Sequence, residues 1–234
     1  MKNVFLENGI EIGDRQEEQF RQYYELLIEW NEKVNLTAIT DYEEVVRKHF
    51  IDSALLVRSQ VFIDVKDSSV LDMGTGAGFP GIVLAILSPE KKFILVDSLN
   101  KRIDFLKIVI EKLELKNVEV FHGRAEDYGK DEKFRNQFDF VVSRAVAELP
   151  ILLEYCIPFV KVDGYFVPYK GKKYEEELSI SDNAFDKLNC SLELTEEFLL
   201  PKEEEKRYLL FIKNNSLTDS KYPRRAGKPK KQPL

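Results

Sequence analysis

The amino-acid sequence predicts an α/β fold with a mostly parallel sheet, an antiparallel hairpin at one sheet edge and a helical extension at the N-terminus. Three observations predict it. Helical periodicity fills about the first 65 residues, short apolar runs then alternate with helical stretches, and two strand-like runs flank an acidic turn near the end. We expect a helical region over residues 1–65, an α/β domain over 66–214 and a basic tail over 215–234.

The composition is that of an ordinary globular protein. The chain has 234 residues, of which 44% are hydrophobic and 32% charged, enough for one α/β domain with an extension. No apolar run approaches the roughly 18 residues of a membrane span, and the N-terminus quickly becomes polar, so we expect neither an anchor nor a signal peptide. Cys156 and Cys190 form no CxxC pair, so we expect no metal site and a reducing, cytoplasmic location.

The charge is unevenly distributed along the chain. The formal net charge is −6, yet residues 220–234 hold six basic residues and no acidic ones, which leaves −12 for the rest. Such a basic segment is an arm that meets an anionic partner, a solubilising terminus, or a tail that packs on the fold through Tyr222. Its prolines and lysines predict an extended segment that forms neither helix nor sheet.

The N-terminal region predicts helices by its capping residues and its apolar spacing. Asp14 with Glu17 has capping-box spacing, and Thr40 with Glu43 repeats that signature. Apolar residues recur at steps of three and four between these two signatures, at Phe20, Tyr23, Tyr24, Leu27, Trp30 and Val34. We expect this partly aromatic stripe to pack against the following domain.

The next region predicts alternating strands and helices. Strands are expected over residues 70–73, 93–96, 118–121, 138–142 and 165–167. Helices are expected between them over residues 81–87, 101–115 and 149–157. This order predicts a parallel sheet covered on both faces. Two further strands within 190–213, around the acidic turn 203–205, predict the edge hairpin.

A glycine-rich segment joins the first of these strands to the first helix. It reads Asp72-Met73-Gly74-Thr75-Gly76-Ala77-Gly78-Phe79-Pro80-Gly81. Glycines let the backbone turn tightly and approach a ligand, and the N–H groups of the helix start favour an anionic group. The segment matches both the dinucleotide fingerprint, from Gly76 to Gly81, and an acid-first pattern typical of Rossmann-like methyltransferases that bind S-adenosylmethionine.

Three features favour the methyltransferase pattern. Asp72 precedes the first glycine, where a carboxylate would help to hold the cationic methionine amine. The glycines begin directly at the strand end, and Pro80 occupies a position where a pyrophosphate-binding turn usually needs a free N–H. A nicotinamide-dependent oxidoreductase remains the alternative.

An acidic residue also ends the second predicted strand. Asp97 lies 21 residues after Gly76, where a carboxylate can accept both ribose hydroxyls of an adenosine. Asp97 therefore predicts an adenosine cofactor of either kind. A cap on the following helix is the alternative interpretation.

A set of short segments, taken in order, is similar to one bacterial enzyme family. The segments are Trp30-Asn31 with Asn35-Leu36-Thr37, His49 with Asp52-Ser53, the glycine-rich segment, Asp97-Ser98 with Lys101-Arg102, Ser143-Arg144-Ala145, Lys170-Gly171, and Tyr222-Pro223-Arg224-Arg225 with Gly227 and Pro229. On these segments the chain resembles the glucose-inhibited-division B family, which methylates N7 of a guanine in small-subunit ribosomal RNA. The resemblance runs from the first long helix to the C-terminus.

The resemblance implies a Rossmann-like methyltransferase with S-adenosylmethionine as cofactor and 16S rRNA, free or in the small-subunit particle, as substrate in its decoding region. We expect a monomer. By position it implies cofactor contacts from Gly74, Phe79, Ala125, Glu126 and Arg144, with Ala125 and Glu126 at the adenine. Gly76 and Asp97 join this set from the loop and ribose arguments. For Glu126 the alternative is an acidic surface turn.

Methylation at N7 of guanine agrees with the absence from this sequence of the motifs that other methyl acceptors require. N7 of guanine already exposes a lone pair, so we assign no general base and expect alignment to supply the catalysis. The fourth predicted strand ends in Val142-Ser143-Arg144-Ala145, without the Asn/Asp-Pro-Pro-aromatic motif of amino-group methyltransferases. Cys156, in a helical pattern, is expected to be buried rather than nucleophilic.

Four basic residues are candidates for RNA binding: Arg144, Lys170, Arg224 and Arg225. For Arg144 the alternative is a structural salt bridge with Glu126, and His49 is either a cleft residue or a structural one. We expect the tail to contact RNA and to leave cofactor binding unaffected. Methylation of another RNA, a protein or a small molecule remains the alternative function.

Overall fold

The structure, a computed structural model, describes residues 1–200 and 202–234. Its centre is a seven-stranded sheet of order β3-β2-β1-β4-β5-β7-β6. The strands are β1 Ser69–Met73, β2 Lys92–Asp97, β3 Val118–His122, β4 Phe138–Arg144, β5 Val160–Lys170, β6 Cys190–Leu199 and β7 Lys206–Asn214. Strands β1 to β5 pair in parallel, whereas β7 pairs antiparallel with both β5 and β6. The predicted mostly parallel sheet with an antiparallel edge hairpin is confirmed.

The strand order places a ligand crevice between β1 and β4. The chain builds outward from β1 to β3 on one side and from β4 onward on the other, so the connections leave β1 and β4 in opposite directions. In open α/β sheets, ligands bind outside the carboxyl ends of the strands at such a switch point. The central strands are buried along almost their whole length, as expected for strands covered on both faces.

Helices follow the strands and cover the two faces of the sheet. In the α/β region they are α6 Gly81–Leu87, α7 Asn100–Lys112, α8 Ala125–Tyr128, α9 Leu149–Cys156, α10 Tyr174–Ser179 and α11 Asp182–Leu188. The predicted helices after β1, β2 and β4 lie within a few residues of α6, α7 and α9. Helices α10 and α11, which precede the hairpin, were not predicted.

The N-terminal region is helical, as predicted. Its helices are α1 Lys2–Glu7, α2 Asp14–Val34, α3 Tyr42–Val45, α4 Asp52–Ala54 and α5 Gln60–Asp64. A π-helical segment, Val46–Ile51, joins α3 to α4. The aromatic stripe packs as expected, because Tyr23 is fully buried in the core that the helices share with the sheet, and Trp30 lies 5.9 Å from Phe105 of α7 between ring centroids.

The two predicted N-caps are wrong by one position each. Helix α2 is capped at Gly13, whose N–H donates to the side chain of Gln16 at 2.9 Å. Helix α3 is capped by Asp41, whose carboxylate accepts from the N–H of Glu44 at 3.0 Å. Several polar residues are neighbours in the sequence at the start of each helix. Spacing alone therefore does not determine which of them is the N-cap.

The C-terminal tail is the largest departure from the prediction. It folds back on the domain instead of extending from it, with Tyr222 and Pro229 buried and a short helix α12, Lys228–Lys231. The guanidinium of Arg135 donates to the backbone carbonyls of Thr218, Asp219 and Tyr222. The composition predicted an extended tail because contacts with residues far away in the sequence, such as those of Arg135, leave no pattern in the local sequence.

In the described ranges, no helix combines the length and the hydropathy needed to cross a membrane.

Candidate functional site

A cavity of about 570 Å³ lies at the carboxyl ends of the central strands. This volume is typical of small-molecule and cofactor clefts, which span roughly 300–1,000 Å³. All seven predicted cofactor residues line it, namely Gly74, Gly76, Phe79, Asp97, Ala125, Glu126 and Arg144. Residues from the N-terminal helical region and from the C-terminal tail complete the wall, so the site draws on all three parts of the chain.

Asp72 shapes the loop from beneath rather than facing the cavity. Its Oδ2 accepts from the hydroxyl of Thr75 at 2.6 Å and from the N–H of Gly81 at 2.8 Å. The side chain is fully buried and is not part of the cavity wall. Its contact with the methionine amine stays a prediction. Burial raises the pKa of this carboxyl to about 6, against the opposing effect of its two hydrogen bonds.

Two glycines of the loop occupy backbone conformations and spaces that a side chain would disturb. Gly76 has φ +63°, and a Cβ there would point into open space with no atom within 4 Å. Gly78 has φ +98°, and a Cβ there would lie 2.6 Å from the hydroxyl of Tyr23. That hydroxyl donates to the carbonyl of Ala77 at 2.5 Å. Helix α2 therefore holds the loop in place, and Gly76 leaves a cradle open to a ligand.

Asp97 ends β2 inside the cavity. Its Oδ2 accepts from the N–H of Gly76 at 2.9 Å and from the guanidinium of Arg102 at 3.2 Å. Its Oδ1 accepts from the N–H of Leu99 at 2.9 Å, just before α7 begins. The carboxylate therefore supports the start of the next helix, which was the alternative interpretation, and it also lines the cavity. Its acceptance of ribose hydroxyls stays a prediction.

The predicted adenine end of the cavity is formed by the start of α8. Ala125 and Glu126 both line the wall there, next to Tyr155 of α9. Burial, followed by the negative charge of Glu126, raises the pKa of Tyr155 to about 12. The tyrosine hydroxyl therefore stays protonated near neutral pH and can donate a hydrogen bond.

Arg144 is held at the end of β4, in the cavity wall. Its guanidinium forms a salt bridge with Asp52 and donates to the carbonyl of Lys48 at 3.2 Å. The guanidinium carbon also lies 5.2 Å from the ring centroid of Phe79. A salt bridge was anticipated as the alternative role of Arg144, but with Glu126 as the partner. The partner is Asp52, which the helical region brings to the end of β4.

His49 belongs to the cavity wall beside Arg144. Its ring stacks on Phe79 at 4.6 Å between centroids and 20° between planes, and its Nε2 lies 2.7 Å from the hydroxyl of Thr37. Burial and the charge of Arg144 lower the pKa of this imidazole to about 4. His49 is therefore neutral at physiological pH, and it presents an aromatic face rather than a charge.

Two of the predicted RNA contacts have internal partners instead. Lys170 is buried and binds Glu177 at 2.6 Å and the carbonyl of Ala147 at 3.1 Å. Arg224 pairs with Glu154, a fully buried carboxylate. Each residue neutralises or anchors a group that the sequence does not place beside it, and its contact with RNA stays a prediction. Arg225, in contrast, is exposed.

Several wall residues were not predicted to be functional. They are Leu36 and Thr37 after α2, Val146 after β4, Tyr155 of α9, and Gly227 and Lys230 of the tail. Leu36 and Thr37 stand in a segment that carries the family resemblance, which was the available signal. Gly227 also stands in such a segment, whereas Lys230 gave no signal, because it reaches the site only through tertiary folding. Within residues 1–200 and 202–234, no group of three His, Cys, Asp or Glu side chains has the spacing to hold a metal ion.

Comparisons with known sequences agree on one family. Residues 16–209 match the GidB family, described as rRNA small subunit methyltransferase G. A protein of Lachnoclostridium phytofermentans named ribosomal RNA small subunit methyltransferase G is 52% identical over 226 residues, which are 97% of this chain and 93% of that protein. A protein of the same name from Alkaliphilus metalliredigens is 46% identical, over 100% of this chain and 97% of its own.

Solved structures with a similar fold are more distant in sequence. A SAM-dependent methyltransferase from Aquifex aeolicus matches with a TM-score of 0.56 and 20% identity, over 76% of this chain and 96% of its own. The structure of M. jannaschii TYW2 in complex with AdoMet matches with a TM-score of 0.54 and 19% identity, over 70% and 76%. At these identities the likeness establishes the fold alone.

Proposed function

The chain belongs to the rRNA small subunit methyltransferase G family, and from that membership and its cavity we propose that it transfers a methyl group from S-adenosylmethionine to N7 of one guanine in 16S ribosomal RNA. The proposal includes action as a cytoplasmic monomer on the RNA or the small-subunit particle. The observation that carries it is the composition of the cavity wall, in which a glycine loop and a strand-end acid adjoin an aromatic, cationic lobe.

The glycine loop and the strand-end acid fit the cofactor. The space above Gly76 admits a group that any side chain there would displace, and Asp97 beside it can accept from ribose hydroxyls. Ala125 and Glu126 would hold the adenine, as the family resemblance implies. When bound, the cofactor supplies an electrophilic methyl group on a sulfonium sulfur.

The second lobe fits a guanine base. His49 stacks on Phe79 to form an aromatic part of the wall, and Leu36 and Thr37 add residues from the N-terminal region. Arg144 stands at its edge with one guanidinium nitrogen bonded to Asp52 and the other only 3.5 Å from His49 Nδ1, a weak contact. That second nitrogen retains the capacity to donate to the base O6 or to a phosphate.

The chemistry of N7 suits these residues. Its lone pair attacks the methyl group without prior loss of a proton, so the protein needs only to align the acceptor with the methyl carbon and the sulfur. Neutral His49 adds no charge next to the cation that forms on the ring. The segment at the end of β4, Ser143 to Val146, lacks the polar Pro-Pro motif that amino-group methylation uses.

Binding and transfer assays test this proposal against its rivals. By calorimetry, the full chain should bind S-adenosylhomocysteine and ignore NAD. With labelled S-adenosylmethionine, it should label purified small-subunit RNA or particles, and not bulk protein or unrelated RNA. Binding of NAD would point to an oxidoreductase, and label in protein or in a small molecule would point to another methyltransferase.

A further inference from the structure

The C-terminal tail contributes two residues, Gly227 and Lys230, to the wall of the cavity. We propose that residues 227–231 form the adenine-side wall of the cofactor site, with Lys230 as the cation at its rim. This inference rests on the proposed function, since it takes S-adenosylmethionine as the ligand. It makes the basic tail a part of cofactor binding rather than a free arm for RNA.

Buried contacts anchor the segment that leads into this wall. Glu154 on α9 is fully buried, and both of its carboxylate oxygens accept from the guanidinium of Arg224, at 2.5–3.0 Å. Glu154 also accepts from the backbone N–H of Arg224 at 2.8 Å. Two residues earlier, the side chain of Tyr222 is buried in the core under the sheet. A carboxylate buried this deeply requires its partner, so the position of the chain at Arg224 is strongly determined.

The chain beyond the anchor passes over the predicted adenine end. The N–H of Gly227 points to the carboxylate of Glu126 at 3.4 Å, a long hydrogen bond. Gly227 has φ +80°, which turns the chain into α12, and Pro229 of that helix is buried. Helix α12 packs against α9, the helix that carries Tyr155 of the cavity wall. These contacts put the segment on Glu126 and not on the Arg144 side of the cavity.

This placement gives the segment two effects on the ligand. It covers the adenine end from solvent, which strengthens hydrogen bonds made by Glu126 and the backbone of Ala125. It also adds Lys230 to a wall that holds the carboxylates of Asp97 and Glu126, and a cation in that wall offsets their negative charge. The other lysines of α12, Lys228 and Lys231, are exposed and do not line the cavity.

A truncation tests the proposal, because it can remove residues 227–231 and keep the contacts that anchor the preceding segment. A chain that ends at Ala226 retains Tyr222 and the Arg224–Glu154 pair but loses the segment. Calorimetry with S-adenosylhomocysteine and with 5′-methylthioadenosine, which has the adenosine but no amino acid, should show both affinities reduced by about tenfold or more, and by the same factor, because the lost contacts lie at the adenine. Unchanged affinity for S-adenosylhomocysteine, with weaker RNA binding only, would overturn the proposal in favour of an RNA arm.

Single substitutions on α12 decide the matter if the shortened chain does not fold. Lys230→Ala should weaken the binding of both probes by about threefold to tenfold, whereas Lys228→Ala, on the same helix but outside the wall, should leave both unchanged. Equal effects of the two substitutions would contradict a wall role for Lys230. If the full chain binds neither probe, the proposed function itself fails. If the full and altered chains bind both probes equally, only the role of the tail in the cofactor site fails.

Discussion

At the scale of single residues, the carboxylate of Asp97 supports both the following helix and the glycine loop. One oxygen holds the start of the helix after β2 through Leu99, and the other holds the N–H of Gly76 in the loop. The same carboxylate lines the cavity, where only 3% of the residue is exposed. A buried acceptor of this kind discriminates strongly between a ligand that donates to it and one that does not.

We predict that Asp97→Ala weakens the binding of S-adenosylhomocysteine by about 1–3 kcal/mol, because two ribose hydroxyls lose a charged acceptor and the loop loses a support. Asp104→Ala, an exposed acid on the following helix, is the matched control and should have no effect. Calorimetry measures both. Equal affinities for the wild-type and Asp97→Ala chains would remove Asp97 from the cofactor site.

The second prediction at this scale concerns the absence of a general base. The pKa values of His49, about 4, and of Asp72, about 6, lie below neutral pH, and that of Tyr155, about 12, lies above it. The single-turnover rate of methyl transfer should therefore be nearly flat from about pH 7 to 8.5, at saturating RNA. His49→Asn should keep the flat profile even if it lowers the rate. A limb of unit slope in this range, lost in His49→Asn, would identify His49 as a base.

At the scale of elements, helix α2 is joined to the glycine loop by a hydrogen bond and by aromatic packing. Tyr23 on the buried face of α2 donates to Ala77 in the loop, and its ring lies 5.4 Å from that of Phe79. The hydroxyl is fully buried and this carbonyl is its partner. The helical extension therefore supports the loop that we propose holds the cofactor.

We predict that Tyr23→Phe lowers the free energy of unfolding by about 1–3 kcal/mol, since the buried carbonyl of Ala77 loses its donor. The same substitution should weaken the binding of S-adenosylhomocysteine. Tyr24→Phe is the matched control, because its hydroxyl reaches the carbonyl of Thr40 near the surface, at 3.1 Å. Urea unfolding compares the two. If both substitutions cost the same small amount, α2 does not support the loop through this contact.

The bounds of the helices and strands show how far the sequence predicts the fold. Strands such as β1 and helices such as α6 follow from local apolar spacing, so their predicted bounds lie within one residue of the observed ones. Helices α10 and α11 were missed, because no clear apolar period marks them. The caps at Gly13 and Asp41 were displaced by one residue, because several neighbouring polar residues could each serve.

At the scale of the whole molecule, the cavity is the place where distant parts of the chain meet. The residues predicted from the glycine loop and the strand ends all line it, because strand ends converge at one edge of a parallel sheet. His49 from the helical region and Lys230 from the tail could not be placed in the same way. Their positions depend on pairs such as Arg144–Asp52 and Arg224–Glu154, which join residues 92 and 70 positions apart.

Methyl transfer to N7 of a guanine in small-subunit RNA leaves a characteristic product, so the identity of the modified nucleoside is decisive. Small-subunit RNA lacking this modification is incubated with the protein and labelled S-adenosylmethionine, digested to nucleosides and separated by chromatography with mass detection. All label should co-elute with N7-methylguanosine, at about one methyl per RNA molecule. Label in an amino-methylated base, a C5-methylated pyrimidine or a ribose 2′-O-methyl group would contradict it.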